Sequence, residues 1–381
     1  MRVIVFSGKG GSGVSTMAAA TATALAQSGR RTLAFALGEG LGACFGRPLA
    51  SEAVQVGEAL WAAEGRTRHD RADELRDWLG DLLEWRGLEA GLAEDLAALP
   101  GVSHVGRLLV LEAQTAGAQF EALVVDGGPL SQFLDLPPAL DAAARWLERL
   151  FAPREQTLFE PFLRVFVGEY AAAGDDVFER GRALLTRLAR LREILTDPAV
   201  SSVRLVLGAD AAAVGDVQKA VATLSLFGCT VDALVVNRVL PAEVGGEFLT
   251  ARREEQEAVV SALRAAAAPL PVLVGPLTAA AVRGGPSLAA LAERVYDGLA
   301  PADVLHRGPT RGFFQEDGYY VLRLALPFVA REELGLEQTE DSVEVHLDGR
   351  RCLVPLPHVL RHREAESWSL DSQVLRVVFR A

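Results

Sequence analysis

The residues best placed to do chemistry stand at the start of the chain, in Ser7-Gly8-Lys9-Gly10-Gly11-Ser12-Gly13-Val14-Ser15-Thr16. They lie between the apolar run Val3 to Phe6 and the alanine-rich stretch Met17 to Gln27. Glycines after a strand and before a helix let successive backbone N–H groups wrap a phosphate, and the helix dipole favours the anion. In the usual pattern G-x-x-x-x-G-K-[ST] a lysine reaches the β and γ phosphates and the next hydroxyl binds magnesium. Here Val14 occupies the lysine position and only the hydroxyl, Ser15, remains. A charge-assisted contact is worth about 1.5–3 kcal/mol, so this loss weakens triphosphate binding by about one to two decades without abolishing it. The chain has two lysines, Lys9 and Lys219, and arginine supplies the rest of its positive charge. A lysine inside the loop is therefore informative.

The elements that must position this loop follow from the apolar pattern. Val3 to Phe6, Thr32 to Leu37, Ala122 to Val125, Val203 to Leu207, Ala233 to Val236 and Val272 to Val274 read as buried strands alternating with helices. They lack strict alternation, as parallel strands covered on both faces do. The expected architecture is an α/β fold with a doubly wound, mostly parallel sheet that binds ligands at the carboxyl ends of its strands. Helical insertions are expected at about 56–99 and 138–195, inside a nucleotide-binding domain of residues 1–300. Proline and glycine then mark a linker at 301–317. Beyond it Tyr320, Leu322, Leu324 and Leu326, then Val343, Val345 and Leu347, follow period two. Residues 318–381 read as a compact β-sandwich, expected to fold as a separable unit.

Composition excludes several partners. The chain of 381 residues has a formal charge of −12, which opposes binding to nucleic acid or anionic lipid. No stretch approaches the roughly 20 apolar residues that span a bilayer, so a soluble, cytoplasmic protein with no integral membrane segment is expected. Cys44, Cys229 and Cys352 are far apart and form no CxxC pair, which argues against a zinc clip or a disulfide framework. His358 and His362 have i,i+4 spacing but follow a proline and stand alone, so they read as surface histidines rather than a metal site.

The opening loop resembles the deviant phosphate loop GKGGxGK[ST] of the ArsA and tail-anchored-protein-targeting ATPases, which are P-loop NTPases. The resemblance implies ATP or ADP with magnesium as cofactor, held by Gly8, Lys9, Gly10, Gly11, Ser12, Gly13, Val14, Ser15 and Thr16. It also implies that Lys9 reaches across a dimer interface to the partner's nucleotide. Ala122 to Pro129 looks like the family's second switch, so Asp126 would orient magnesium through water while Ser15 ligates it directly. Val235-Val236-Asn237-Arg238 matches a segment in which Asn237 would contact the adenine edge, as an amide can. Pro276 and Leu277 resemble the start of the loop that closes over the base. Where the family's first switch carries a water-positioning carboxylate, this chain has Ala36-Leu37-Gly38-Glu39-Gly40. Glu39 has a longer stem and a shifted position, and positioning dominates phosphoryl transfer.

Residues 318 to 381 resemble the α-crystallin-like domain appended to some bacterial ArsA homologues, which implies a binding accessory. On the helix around Arg71 to Trp85, Leu75, Trp78, Leu79 and Leu82 share a face; so do Leu140, Leu147 and Leu150 further on. Core packing is the ordinary reading of such stripes, and a groove for a hydrophobic protein client is the alternative. Three functions fit: a dimeric client-binding protein that binds nucleotide but hydrolyses it weakly or not at all; a regulatory subunit paired with an intact ArsA-like paralogue; and an ATPase with atypical catalytic groups.

Overall fold

The computed structural model describes residues 1–65, 72–85, 100–117, 119–151, 175–210, 212–308, 311–316 and 318–380. An eight-stranded sheet has the order β3-β4-β2-β5-β1-β6-β7-β8. Six of its strands are β1 (Arg2–Gly8), β2 (Thr32–Ala36), β5 (Ala122–Pro129), β6 (Ser201–Gly208), β7 (Val231–Val239) and, at one edge, β8 (Val272–Pro276). All of these pair in parallel, and each contains one of the expected apolar runs. Both faces are covered. Val3, Val5, Leu33, Phe35, Leu123 and Val125 pack into one core cluster, whereas Ile4, Phe6, Ala34, Ala36, Ala122 and Val124 pack into the other. This two-sided burial is why the strands show no polar alternation.

The sheet extends further at one edge than the sequence suggests. Where a helical stretch is expected from residue 56, β3 (Val54–Gly57) and β4 (Leu60–Glu64) form an antiparallel pair, and β4 runs parallel to β2. The run Leu60 to Glu64 is too short and too alanine-rich to announce a strand, and its pairing with β2 decides its conformation. Helices follow at Ala72–Trp85 and Pro100–Thr115, and later at Leu136–Phe151 and Asp175–Thr196. Leu75 and Leu140 are buried in the core beneath the sheet, with Trp78 and Leu79 packed against it. Leu82 is half-buried, while the side chains of Leu147 and Leu150 lie outside the described residues. Where they are described, these stripes face a core.

The carboxyl-terminal part forms two antiparallel sheets. One has the order β14-β15-β10-β9, from Ala365–Asp371, Val374–Arg380, Tyr319–Ala325 and Gly312–Glu316; the other is β11-β12-β13, from Leu334–Gln338, Ser342–Leu347 and Arg350–Pro355. Strand β9 falls in the stretch read as linker, and its pairing with β10 starts the small sheet at Gly312. Leu322, Leu324, Val343, Val345, Leu375 and Phe379 fill the space between the sheets, and Ala222, Leu226 and Phe227 join the same cluster from the end of the helix Ala213–Leu226. Arg350 donates to the Leu134 carbonyl at 3.0 Å and to Asp135 at 2.9 Å, which ties β13 to the turn before the helix Leu136–Phe151. The sandwich is therefore packed on the larger fold as well as on itself.

Candidate functional site

The opening loop leaves β1 at the carboxyl edge of the central sheet, between β5 and β6, and enters helix α1 (Val14–Gln27). Gly8 cannot be replaced, because a Cβ there would stand 1.9 Å from the Val206 carbonyl oxygen. Gly13, with φ 94°, caps α1, and no side chain caps the helix. Its first turn holds no acidic residue, so no side chain of the helix itself competes for the N–H groups and dipole at that end. At Gly10 and Gly11 an added Cβ would meet nothing within 4 Å, so the outer loop borders open space.

Three neighbours hold the loop in shape. Ser12 donates its hydroxyl to the Val206 carbonyl at 3.0 Å. Asn237, at the end of β7, donates its amide to the Ser12 carbonyl at 2.8 Å and accepts the Arg238 N–H at 2.9 Å. That amide fills the gap between Gly13 and Gly275, where a Cβ would stand 2.4 Å and 2.8 Å from it. Asn237, expected at the adenine edge, thus spends one donor and its acceptor oxygen inside the protein. Arg238, with φ 61°, donates to the Gly11 carbonyl at 2.8 Å. No motif signals that contact, which depends on the end of β7 lying beside the loop. Pro276 ends β8, and the Leu277 N–H bonds the Val239 carbonyl at 2.7 Å while its side chain is exposed.

Ser15 and Asp126 stand beside each other in the structure. The Ser15 hydroxyl bonds the Asp126 carboxylate, and the Gly128 N–H donates to Asp126 Oδ1 at 3.0 Å. Asp126 is 3% exposed. Burial raises its pKa above the usual aspartate range against those two hydrogen bonds, and the charge of Glu64 raises it further. A hydroxyl beside a carboxylate is a hard oxygen donor set of the kind magnesium takes. Thr16 lies within 4.0 Å of the buried Cys44 thiol. Glu39, the acid considered for the first switch, is exposed. Lys9 is 60% exposed and stands 3.8 Å from Asp216, a surface carboxylate.

The acid missed by the sequence reading is Glu64. It ends β4, is 5% exposed, and accepts the Gly40 N–H at 2.9 Å and the Gly42 N–H at 2.8 Å through one oxygen. Its signal was an acid closing an apolar run, concealed by the expectation of a helix there. The cysteines are all buried and free. Burial raises the pKa of Cys44, that of Cys229 to about 12 and that of Cys352 to about 11. Glu337, Glu344 and His346 gather on the small sheet, where Arg351 already pairs with Glu344 at 3.5 Å.

Comparison with known proteins extends this picture. The family model described as anion-transporting ATPase matches residues 1–297, and that of an HSP20-like domain found in ArsA matches residues 317–379. The chain is 28% identical to an Aquifex aeolicus (strain VF5) protein provisionally named arsenical pump-driving ATPase 1, over 99% of each chain. It is 30% identical to an uncharacterised protein of Streptomyces coelicolor, covering 100% of this chain and 97% of the relative. A Chlorobaculum tepidum protein provisionally named arsenical pump-driving ATPase is 26% identical, over 94% of this chain and 90% of the relative. Among the described residues, no helix is long and apolar enough to cross a membrane.

Proposed function

The chain belongs to the ArsA family of anion-transporting ATPases, and from that premise we propose that it binds ATP or ADP with magnesium, hydrolyses it weakly or not at all, and acts as a dimeric client-binding or targeting protein. The observation that carries this reading is Val14, in the lysine position of a loop whose other parts are in place. Backbone N–H groups from Gly8 to Thr16 would wrap the phosphates. Ser15 would ligate magnesium and Asp126 would orient it through water, and the bound ion would neutralise phosphate charge. Hydrolysis also needs stabilised equatorial oxygens and an oriented water. Val14 removes one source of the first, and the absence of an acid at Ala36 and Gly38 removes the second.

Lys9 supports a second reading, in which the chain is the regulatory partner of an intact ArsA-like paralogue. Its ammonium is exposed and, among the described residues, is paired with a surface carboxylate, so it is available to a nucleotide in another subunit. Pumping of arsenicals, suggested by the relatives' names, is not carried over. Thiolates are the metalloid-binding form of cysteine, and burial keeps all three thiols protonated. A cytoplasmic site of action fits the reading.

Steady-state phosphate release at saturating Mg·ATP, beside calorimetric binding of Mg·ADP, tests the proposal. Binding without measurable turnover is expected. A turnover of about 1 per second, within the ordinary enzyme range, abolished by Asp126→Ala, would overturn it.

A further inference from the structure

The segment after β2 must lie against the phosphate loop if it is to respond to a ligand there; Leu37 and Leu41 bury its two ends in the core, yet Gly38-Glu39-Gly40 between them has no apolar side chain to anchor it. Sheet register supplies the anchor. Ala36 at the end of β2 pairs with Glu64 on one side and with Asp126 on the other. Residues directly opposite in neighbouring strands point to the same face, so the two carboxylates flank Ala36 on the face that α1 covers.

Glu64 reaches from this row to the Gly40 and Gly42 N–H groups. Gly40, with φ 143°, is thereby drawn in so closely that a Cβ would stand 2.6 Å from Ser15 Oγ and 3.8 Å from Asp126 Oδ2. Glu64 thus holds the loop on the two groups that would carry the cation. It also brings a second negative charge to a water-poor site, where an anionic nucleotide without a cation is repelled. We infer that Glu64 is a positioning residue of this pocket: its carboxylate seats the loop after β2 on Ser15 and Asp126 and makes nucleotide binding depend on a divalent cation. The functional half of this inference rests on the nucleotide-binding reading above, whereas the seating of the loop does not.

The test uses the full chain with Glu64→Gln, Glu64→Ala and Glu64→Asp. Glutamine keeps an accepting oxygen at the same reach without the charge; aspartate keeps the charge on a stem too short for Gly40 and Gly42. Hydrogen exchange without nucleotide reports the loop. Exchange across residues 37–43 is expected to speed up about ten- to a hundredfold in Glu64→Ala and Glu64→Asp and to stay within about threefold in Glu64→Gln. Affinity for a fluorescent ADP analogue, measured with magnesium and with a chelator, reports the charge. The ratio of the two affinities is expected to shrink by about fivefold or more in Glu64→Gln, through tighter binding of the metal-free probe. Unchanged exchange in Glu64→Ala, or in Glu64→Asp should the alanine variant not fold, would overturn the seating role. A magnesium ratio in Glu64→Gln equal to that of the wild type would overturn the charge role. If the wild-type chain binds no probe under either condition, the nucleotide reading falls together with the charge role, and the exchange arm alone decides what Glu64 does.

Discussion

Val14 is 8% exposed at the first position of α1, packed in the cluster that α1 shares with the sheet. A lysine there carries its charge toward the phosphates, so Val14→Lys is expected to raise Mg·ATP affinity by about one to two decades in calorimetry. Turnover should stay near background, because no acid stands at Ala36 or Gly38; unchanged affinity would mean that position 14 does not face a bound phosphate. Asn237 makes the opposite kind of contribution, to the protein rather than to a ligand. Asn237→Ala strips the donor from the Ser12 carbonyl and opens the gap between Gly13 and Gly275. A loss of about 1–3 kcal/mol in urea unfolding is expected, the cost of an unsatisfied buried carbonyl. The thiols give a pH test. With folded values of about 12 and 11 for Cys229 and Cys352, alkylation of the native chain at pH 8 should be far slower than after denaturation, where the thiols return to the ordinary range near 8.5. Rapid native labelling would reopen the case for a thiol site.

At the scale of elements, the strands that carry the loop were legible because burial on both faces leaves an uninterrupted apolar run, and each such run became a strand. The turn between β1 and α1 and the place of Asp126 on β5 were legible for a related reason, since glycines at fixed offsets and an acid at a strand end are written locally. Glu64 was not. Its role depends on β4 pairing with β2, a contact between residues 36 and 64 that no local pattern announces. Arg238 and the inward use of Asn237 likewise depend on β7 lying beside the loop. The hinge suggested a separable terminal unit because proline and glycine are visible, whereas the burial of Leu226 and Phe227 under the small sheets is not. Deleting residues 311–381 uncovers both side chains, and full burial of such residues is worth about 1.5–3 kcal/mol each. The fragment 1–310 is therefore expected to unfold about 3–6 kcal/mol more easily than the whole chain in urea. Equal stability would show that the shared cluster contributes little and that the terminal unit stands alone.

At the scale of the whole molecule, the question is whether the pocket is complete within one chain. Its buried ionic groups Glu64 and Asp126 are acids, while the loop's one lysine is turned outward to Asp216. With both partners more than half exposed, that pair is worth about 0–1 kcal/mol and salt screens it further. Lys9 can therefore leave at little cost. A compact ammonium on a flexible stem suits a crowded phosphate better than arginine's planar fork, and this chain uses arginine almost everywhere else. Lys9→Ala should accordingly leave the melting temperature of the isolated chain unchanged, as substitutions of exposed side chains usually do. In a homodimer, the same change should weaken self-association measured by ultracentrifugation with ATP and magnesium, and leave the nucleotide-free distribution as it was. In a mixed dimer, it should instead lower the turnover of an intact paralogue without altering the variant chain's own nucleotide affinity. Lys9→Arg separates charge from shape: if arginine restores association fully, charge alone is used, and if it does not, the narrow ammonium is required. Should Lys9→Ala change neither association nor a partner's turnover, the lysine does not act between subunits, and the dimeric reading loses the residue that supports it.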